Sequence, residues 1–253
     1  AGGEPVLNFC ANNYLGLANH PDLISAACEA TSHYGFGMAS VRFICGTQAP
    51  HKNLESKLAT FLGTEDAILY PSCFDANGGL FETLLDEHDA VVSDALNHAS
   101  IIDGCVLSRA KVRRYAHGDV PALEAMLAET SGHKLVVTDG VFSMDGDVAP
   151  LKELARVCQI HDALLVVDDA HGIGVLGPQG RGSVLAAGLS EADAPVLIGT
   201  LGKAVGTSGA FVAGPEVLMD YLVQKARTYI YTTAMPPALA KATCVSIDLI
   251  ERD

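Results

Sequence analysis

The stretch Leu164-Leu165-Val166-Val167-Asp168-Asp169-Ala170-His171-Gly172 sets the architecture. Four apolar residues run without polar alternation and stop at two acids. A strand of that kind is buried on both faces. The pattern recurs at 67–70, 90–93, 135–138, 196–199 and 210–213, with a more polar strand expected near 112–116. Helical patterns fill the intervals: 21–33, opening on Pro21 at the first helical position, then 51–61, with Leu54, Leu58 and Phe61 on one face. Further helices are expected from 75 to about 85, from about 100, and over 121–129, 150–161, 215–227 and 237–251. Residues 6–9 read as a short strand and 35–47 as a glycine-bearing loop. Short apolar strands separated by helices predict an α/β fold, a mostly parallel sheet flanked by helices. Ligands of such sheets sit at the carboxyl ends of the strands.

Composition narrows the function. The chain has 253 residues, 49% of them hydrophobic, enough for a large core. A net charge of −14 disfavours nucleic acid as a partner, because the phosphate backbone calls for a positive field. The seven cysteines are scattered without a CxxC pair, so reduced thiols are expected and no metal site. The loop 139–147 is acidic and bears glycine, but it lacks the oxygen spacing and terminal Glu of a calcium loop. No apolar run is long enough for a membrane span. Cytoplasmic residence is expected, with the mitochondrial matrix as the alternative if a targeting segment has been removed, since both ends read as cut.

The notable polar groups all follow strands. Asp168 ends one, and Lys203 lies in the small-residue loop Thr200-Leu201-Gly202-Lys203-Ala204 after another. An amine and a carboxylate at neighbouring strand ends suit pyridoxal phosphate (PLP). The amine can hold the cofactor aldehyde as a Schiff base, and the carboxylate can keep the pyridine nitrogen protonated. After strand 67–70, Ser72-Cys73-Phe74-Asp75 reads either as a phosphate cup at a helix start or as an ordinary N-cap. His98, after strand 90–93, reads as a ring-stacking or a helix-capping histidine. No dinucleotide or P-loop glycine fingerprint occurs: Gly35-Phe36-Gly37 lacks a third glycine and follows a helix.

The segments Asn8-Phe9-Cys10-Ala11-Asn12-Asn13-Tyr14-Leu15-Gly16-Leu17, His98-Ala99-Ser100, Asp139-Gly140-Val141-Phe142-Ser143-Met144-Asp145-Gly146, Asp168-Asp169-Ala170-His171 and Thr200-Leu201-Gly202-Lys203 together carry a family resemblance. The chain resembles the α-oxoamine synthases, fold-type I PLP-dependent transferases that join an amino acid to an acyl-CoA. The resemblance implies that residues 51–253 are the PLP-binding large domain, that 1–50 lead into it, and that a C-terminal small domain lies outside this chain. It implies Lys203 as the Schiff-base lysine, Asp168 as the partner of the pyridine nitrogen and His98 as the residue stacked on the ring. His171 and Ser143 would lie near the phenolic oxygen. Cys73, Phe74 and Thr200 would bind the phosphate, with Thr232 or Thr233 contributed by a neighbouring subunit of a homodimer. Asn12 would meet the amino acid's carboxylate.

Two branches of the family compete. Ser40-Val41-Arg42-Phe43-Ile44-Cys45-Gly46-Thr47-Gln48 resembles the branch that joins glycine to acetyl-CoA. Arg114–Asp119, Gly206–Ala210 and Ile230–Pro237 resemble the branch that joins alanine to a pimeloyl thioester in biotin synthesis. The resemblance puts the loop 38–46 beside the acyl group, with Val41 and Arg42 as substrate contacts. The bulk of Val41, Arg42 and Phe43 leaves less room for a long chain, so glycine with acetyl-CoA is the expectation and the biotin-type reaction the alternative. A non-catalytic, structural member of the family would lose Lys203 or Asp168, and both are present.

Overall fold

The computed structural model describes residue 3 and residues 7–252. After a polar stretch and a 3-10 turn at Leu17–Asn19 come helices α1 (Pro21–Tyr34) and α2 (Ala49–Leu62), strand β1 (Asp66–Tyr70) and helix α3 (Cys73–Leu84). Then follow β2 (Ala90–Asp94), α4 (Ala99–Leu107), β3 (Lys111–Tyr115), α5 (Val120–Ala128) and β4 (Lys134–Asp139). The chain continues with α6 (Leu151–Ile160), β5 (Ala163–Asp168), a short α7 (Ser183–Ala186), β6 (Val196–Thr200) and β7 (Ala210–Gly214). Helices α8 (Glu216–Lys225), α9 (Arg227–Tyr231) and α10 (Pro237–Arg252) complete it.

The seven strands form one sheet in the order β1-β7-β6-β5-β4-β2-β3. All pairings are parallel except those of β7, which runs antiparallel to both neighbours. The exception has a simple cause. Only residues 201–209 join β6 to β7, and a parallel crossover takes roughly a dozen residues or more.

Successive residues of each strand enter opposite cores. In β4, Val136 joins the core under α1, α2, α5, α6 and α10, whereas Leu135 and Val137 join the core under α3, α4, α8 and α9. In β5, Val167 belongs to the first and Val166 to the second. The period of two therefore turns Asp168 toward α3 and α4, and Asp169 the other way.

Two expectations change. Residues 7–9 form no strand: Leu7 and Phe9 are almost fully exposed, and no strand pairs with them. Residue 6 lies outside the described residues. The helix expected over 215–227 breaks at Ala226, whose extended backbone (φ −66°, ψ 112°) ends α8 and starts α9.

Candidate active site at the carboxyl rim of the sheet

The carboxyl ends of β1, β2, β4, β5 and β6 share one rim, because β1 and β6 both oppose β7. Asp168 ends β5 and Asp139 ends β4 beside it in register. Thr200 ends β6, and Lys203 follows in the β6–β7 loop. Gly206, at φ +75°, closes that loop, and a Cβ there would stand 2.7 Å from the backbone nitrogen of Ala18. This close approach fastens the lysine loop to the N-terminal segment carrying Asn12 and Tyr14.

Lys203 Nζ lies 2.8 Å from His171 Nε2, and Tyr14 Oη lies 2.7 Å from His171 Nδ1. Tyr14 Oη is also 3.2 Å from Asn12 Oδ1. Burial, then the nearby lysine charge, push the His171 imidazole down to about 4, so it is neutral at neutral pH. A neutral ring has one N–H. While Lys203 is an ammonium it can only donate, so His171 Nε2 accepts and Nδ1–H donates to the Tyr14 oxygen. The Tyr14 hydroxyl then donates to Asn12. All hydrogens run one way, from Lys203 to Asn12. Burial also pushes the Lys203 amine below the usual lysine range, while Asp168, Cys73 and Asp139 hold it back through space.

Asp168 is buried, at 3% exposure. Its Oδ2 accepts a hydrogen bond from Asn77 Nδ2 at 2.9 Å, and its Oδ1 accepts one from the Ala170 N–H at 3.2 Å. Burial raises its pKa, and these two donors, then Lys203 and His98, oppose the rise. Asp139 accepts the backbone N–H of His98 at 2.8 Å. Burial, then the Asp168 charge, push its carboxyl up to about 7. Asp169 faces the opposite core and anchors the Ser183 N–H at 2.6 Å, a structural tie behind the rim.

Helix α3 begins beside this group. The Ser72 hydroxyl caps the Asp75 N–H at 3.2 Å, and the Ser72 carbonyl takes the Ala76 N–H. The N–H groups of Cys73 and Phe74 precede those bonds and have no acceptor on their own helix. The Thr200 hydroxyl and the charges of Asp168 and Lys203 act on the Cys73 thiol, which burial above all holds protonated. Two free N–H groups at a helix start, with a threonine hydroxyl alongside, suit a phosphate. The N-cap and phosphate-cup readings of this segment are compatible. So are the two readings of His98: it caps α4 by accepting the Ser100 N–H, while its ring remains accessible, edge-on to Phe74 at 5.9 Å.

The other expected residues stand apart. Ser143 sits at the exposed tip of the turn closed by the Val141–Val148 bridge, with no hydrogen bond to Lys203 or His171. Val41 pairs with Thr233 in an isolated bridge, and Thr232 ends α9. Arg42 does not present its bulk at the rim. Its guanidinium is buried against Glu55 at 2.7 Å, bonds the Thr47 hydroxyl at 2.9 Å and stacks over Tyr229. Arg42 is thus packed inward, while Phe43 and Ile44 of the same loop stay exposed. Ser100 and Tyr14 lie within the motifs quoted above, and Asn77 in the helix expected from 75 to about 85, yet spacing alone assigned them no role.

A family model described as aminotransferase class I and II matches residues 4–251. The chain is 66% identical over 251 residues to 8-amino-7-oxononanoate synthase of Marinobacter nauticus, covering 99% of this chain and 64% of that protein. It is 54% identical over 257 residues to 2-amino-3-ketobutyrate coenzyme A ligase of Escherichia coli, covering 99% and 64%. Among solved structures, serine palmitoyltransferase of S. paucimobilis, with PLP and myriocin bound, superposes with a TM-score of 0.92 at 37% identity, over 95% of this chain and 63% of that one. An 8-amino-7-oxononanoate synthase of Francisella tularensis gives a TM-score of 0.85 at 35% identity, over 97% and 69%. The chain thus spans about 64% of the length of the curated relatives it matches.

Proposed function

The chain belongs to the aminotransferase class I and II family, among its α-oxoamine synthases, and from that premise we propose that it is the catalytic large domain of a PLP-dependent C-acyltransferase. The observation that carries this reading is the convergence of Lys203, Asp168 and the start of α3 on one rim. The residues fit the cofactor. Lys203 would hold its aldehyde, Asp168 its ring nitrogen, and Cys73, Phe74 and Thr200 its phosphate. His98 would lie on the ring face and His171 near the phenolic oxygen, whereas Ser143, on its exposed turn, would reach that oxygen only if the turn moved inward. Bound there, PLP supplies the electron sink for the pair left when an amino acid gives up its α-proton.

The protein's own groups divide the remaining work. Lys203 Nζ, its pKa lowered by burial, takes the α-proton. Asp168, held by Asn77 and Ala170, supplies a buried negative charge at the far end of the site. Asn12 and Tyr14 line the side from which an amino acid carboxylate would enter. Neither Thr232 nor Thr233 hydrogen-bonds Lys203 or His171, and in a homodimer one of these hydroxyls would serve the neighbouring copy's phosphate. The exposed Leu7, Phe9, Phe36 and Ile44 are suited to such a partner surface. The seven free cysteines fit a reducing compartment, the cytoplasm.

For the substrates we infer alanine and a pimeloyl thioester, the reaction of the 8-amino-7-oxononanoate synthases. This replaces the expectation of glycine with acetyl-CoA. The synthase of Marinobacter nauticus is 66% identical and the ligase of Escherichia coli 54%, and Arg42, drawn inward onto Glu55, adds no bulk beside an acyl group. The ligase-like segment 40–48 keeps glycine with acetyl-CoA as the second reading. A thiol-release assay on the full-length protein decides between them: faster turnover of alanine with pimeloyl-CoA supports the first, and faster turnover of glycine with acetyl-CoA supports the second.

A further inference from the structure

We propose that Asn77 is a positioning residue that sets the ionisation of Asp168 and, through Ser100, reinforces the His98 tautomer that the Ser100 N–H selects. The inference rests on the PLP reading for its catalytic meaning, but its geometry stands on the chain alone.

Asn77 lies in α3 and is wholly buried. Both hydrogens of its amide nitrogen are used. One goes to Asp168 Oδ2 at 2.9 Å and the other to Ser100 Oγ at 3.0 Å. A flipped amide would set its oxygen against the carboxylate, so the orientation is fixed. Helix α4 reaches Asn77 because of Gly104. A Cβ at that position would stand 2.8 Å from the Asn77 carbonyl oxygen and 2.7 Å from the Phe81 ring.

Ser100 passes the assignment on. Its Oγ accepts from Asn77 with one lone pair and keeps its own hydrogen, which is free for His98 Nδ1, 2.8 Å away. The Ser100 N–H, at 3.2 Å, also points at His98 Nδ1. Two donors on one ring nitrogen require a lone pair there, so the hydrogen of neutral His98 sits on Nε2. One amide thus holds Asp168 as the acceptor a protonated ring nitrogen needs, and it also orients the Ser100 hydroxyl that joins the Ser100 N–H on His98 Nδ1. Without Asn77 the buried Asp168 carboxylate would lose its strongest donor.

The test uses two readouts besides turnover. Nitrogen-15 NMR of the cofactor-free protein, labelled at histidine, should show His98 at mildly alkaline pH with Nδ1 unprotonated and Nε2 protonated. A protonated Nδ1 overturns the proposal, and this result does not depend on whether PLP binds. Protein loaded with PLP labelled at the ring nitrogen should show a protonated pyridine signal. Asn77→Ala should lose that signal and bind PLP roughly tenfold more weakly, the size of one hydrogen bond to a charged group. Ser100→Ala should keep the signal, because the Asn77–Asp168 bond survives. A wild-type ring signal and affinity in Asn77→Ala overturn the proposal. If that variant fails to fold, Asn77→Leu, which keeps the volume and removes both donors, takes its place with the same two outcomes. Failure of the wild-type protein to bind PLP instead overturns the functional reading, while the His98 result continues to judge the network.

Discussion

Lys203 and His171 share a hydrogen bond of 2.8 Å that joins the β6–β7 loop to the turn after β5. Tyr14 holds the other ring nitrogen of His171, so the imidazole is gripped from both sides. Its pKa is lowered from 6.5 to about 4. The unfolded chain therefore binds a proton between those values that the folded chain refuses. Stability rises with pH across that window and is lost as pH falls from about 6.5 to about 4. His171→Asn removes this contribution. Thermal melts at several pH values should show the wild-type advantage over the variant shrinking on acidification; an advantage independent of pH would contradict the assignment.

Asp139 acts with the opposite sign. Its carboxyl is raised from 3.8 to about 7, chiefly by burial and then by Asp168. The folded state binds that proton more tightly, so the associated stability is present below about 3.8 and lost as pH rises to about 7. Asp139→Asn keeps an oxygen for the His98 N–H and has no proton to lose. The variant should gain on the wild type by roughly 2–4 kcal/mol between acid and neutral pH, then by no more above it. Urea melts at several pH values measure this, and a constant difference would place the Asp139 pKa near its ordinary value.

Asp168→Asn tests the charge at the end of β5. The replacement has the same shape and keeps the chain folded, but it cannot hold a proton on a ring nitrogen. Exchange of the α-proton of alanine into heavy water should fall by about a hundredfold or more. Near-normal exchange would remove Asp168 from the role proposed for it.

Arg42 is expected to matter for stability and not for acyl selection. Glu55 is 1% exposed and is held by Arg42 at 2.7 Å, by the Leu69 N–H at 3.2 Å and by Lys52 at 2.8 Å. Arg42→Ala leaves a buried carboxylate with its main partner gone and should cost about 3 kcal/mol in urea denaturation. The preference between pimeloyl- and acetyl-CoA should stay unchanged in the same variant. A changed preference with unchanged stability would return the loop to the acyl site.

The strands were legible because strands buried on both faces read as unbroken apolar runs, and Asp168 and Lys203 stood out where those runs end. The antiparallel β7 was legible too, in the short 201–209 connection, but only if loop length is weighed together with strand order. Asn77 was not legible. Its partners lie 23 and 91 residues away, and only the packing of α3 on α4 brings them together. Arg42 shows the converse: a large side chain in a loop read as pocket lining, whereas a buried acid from the following helix draws it inward. Residues 7–9 carry a strand-like pattern, yet no strand pairs with them.

The most direct test of the account is the site of covalent attachment of PLP. The protein is incubated with PLP, reduced with borohydride, digested and sequenced by mass spectrometry. The account predicts that the pyridoxyl group is found on Lys203 and that Lys203→Ala carries none. Attachment at another lysine, or undiminished labelling of Lys203→Ala, would contradict it.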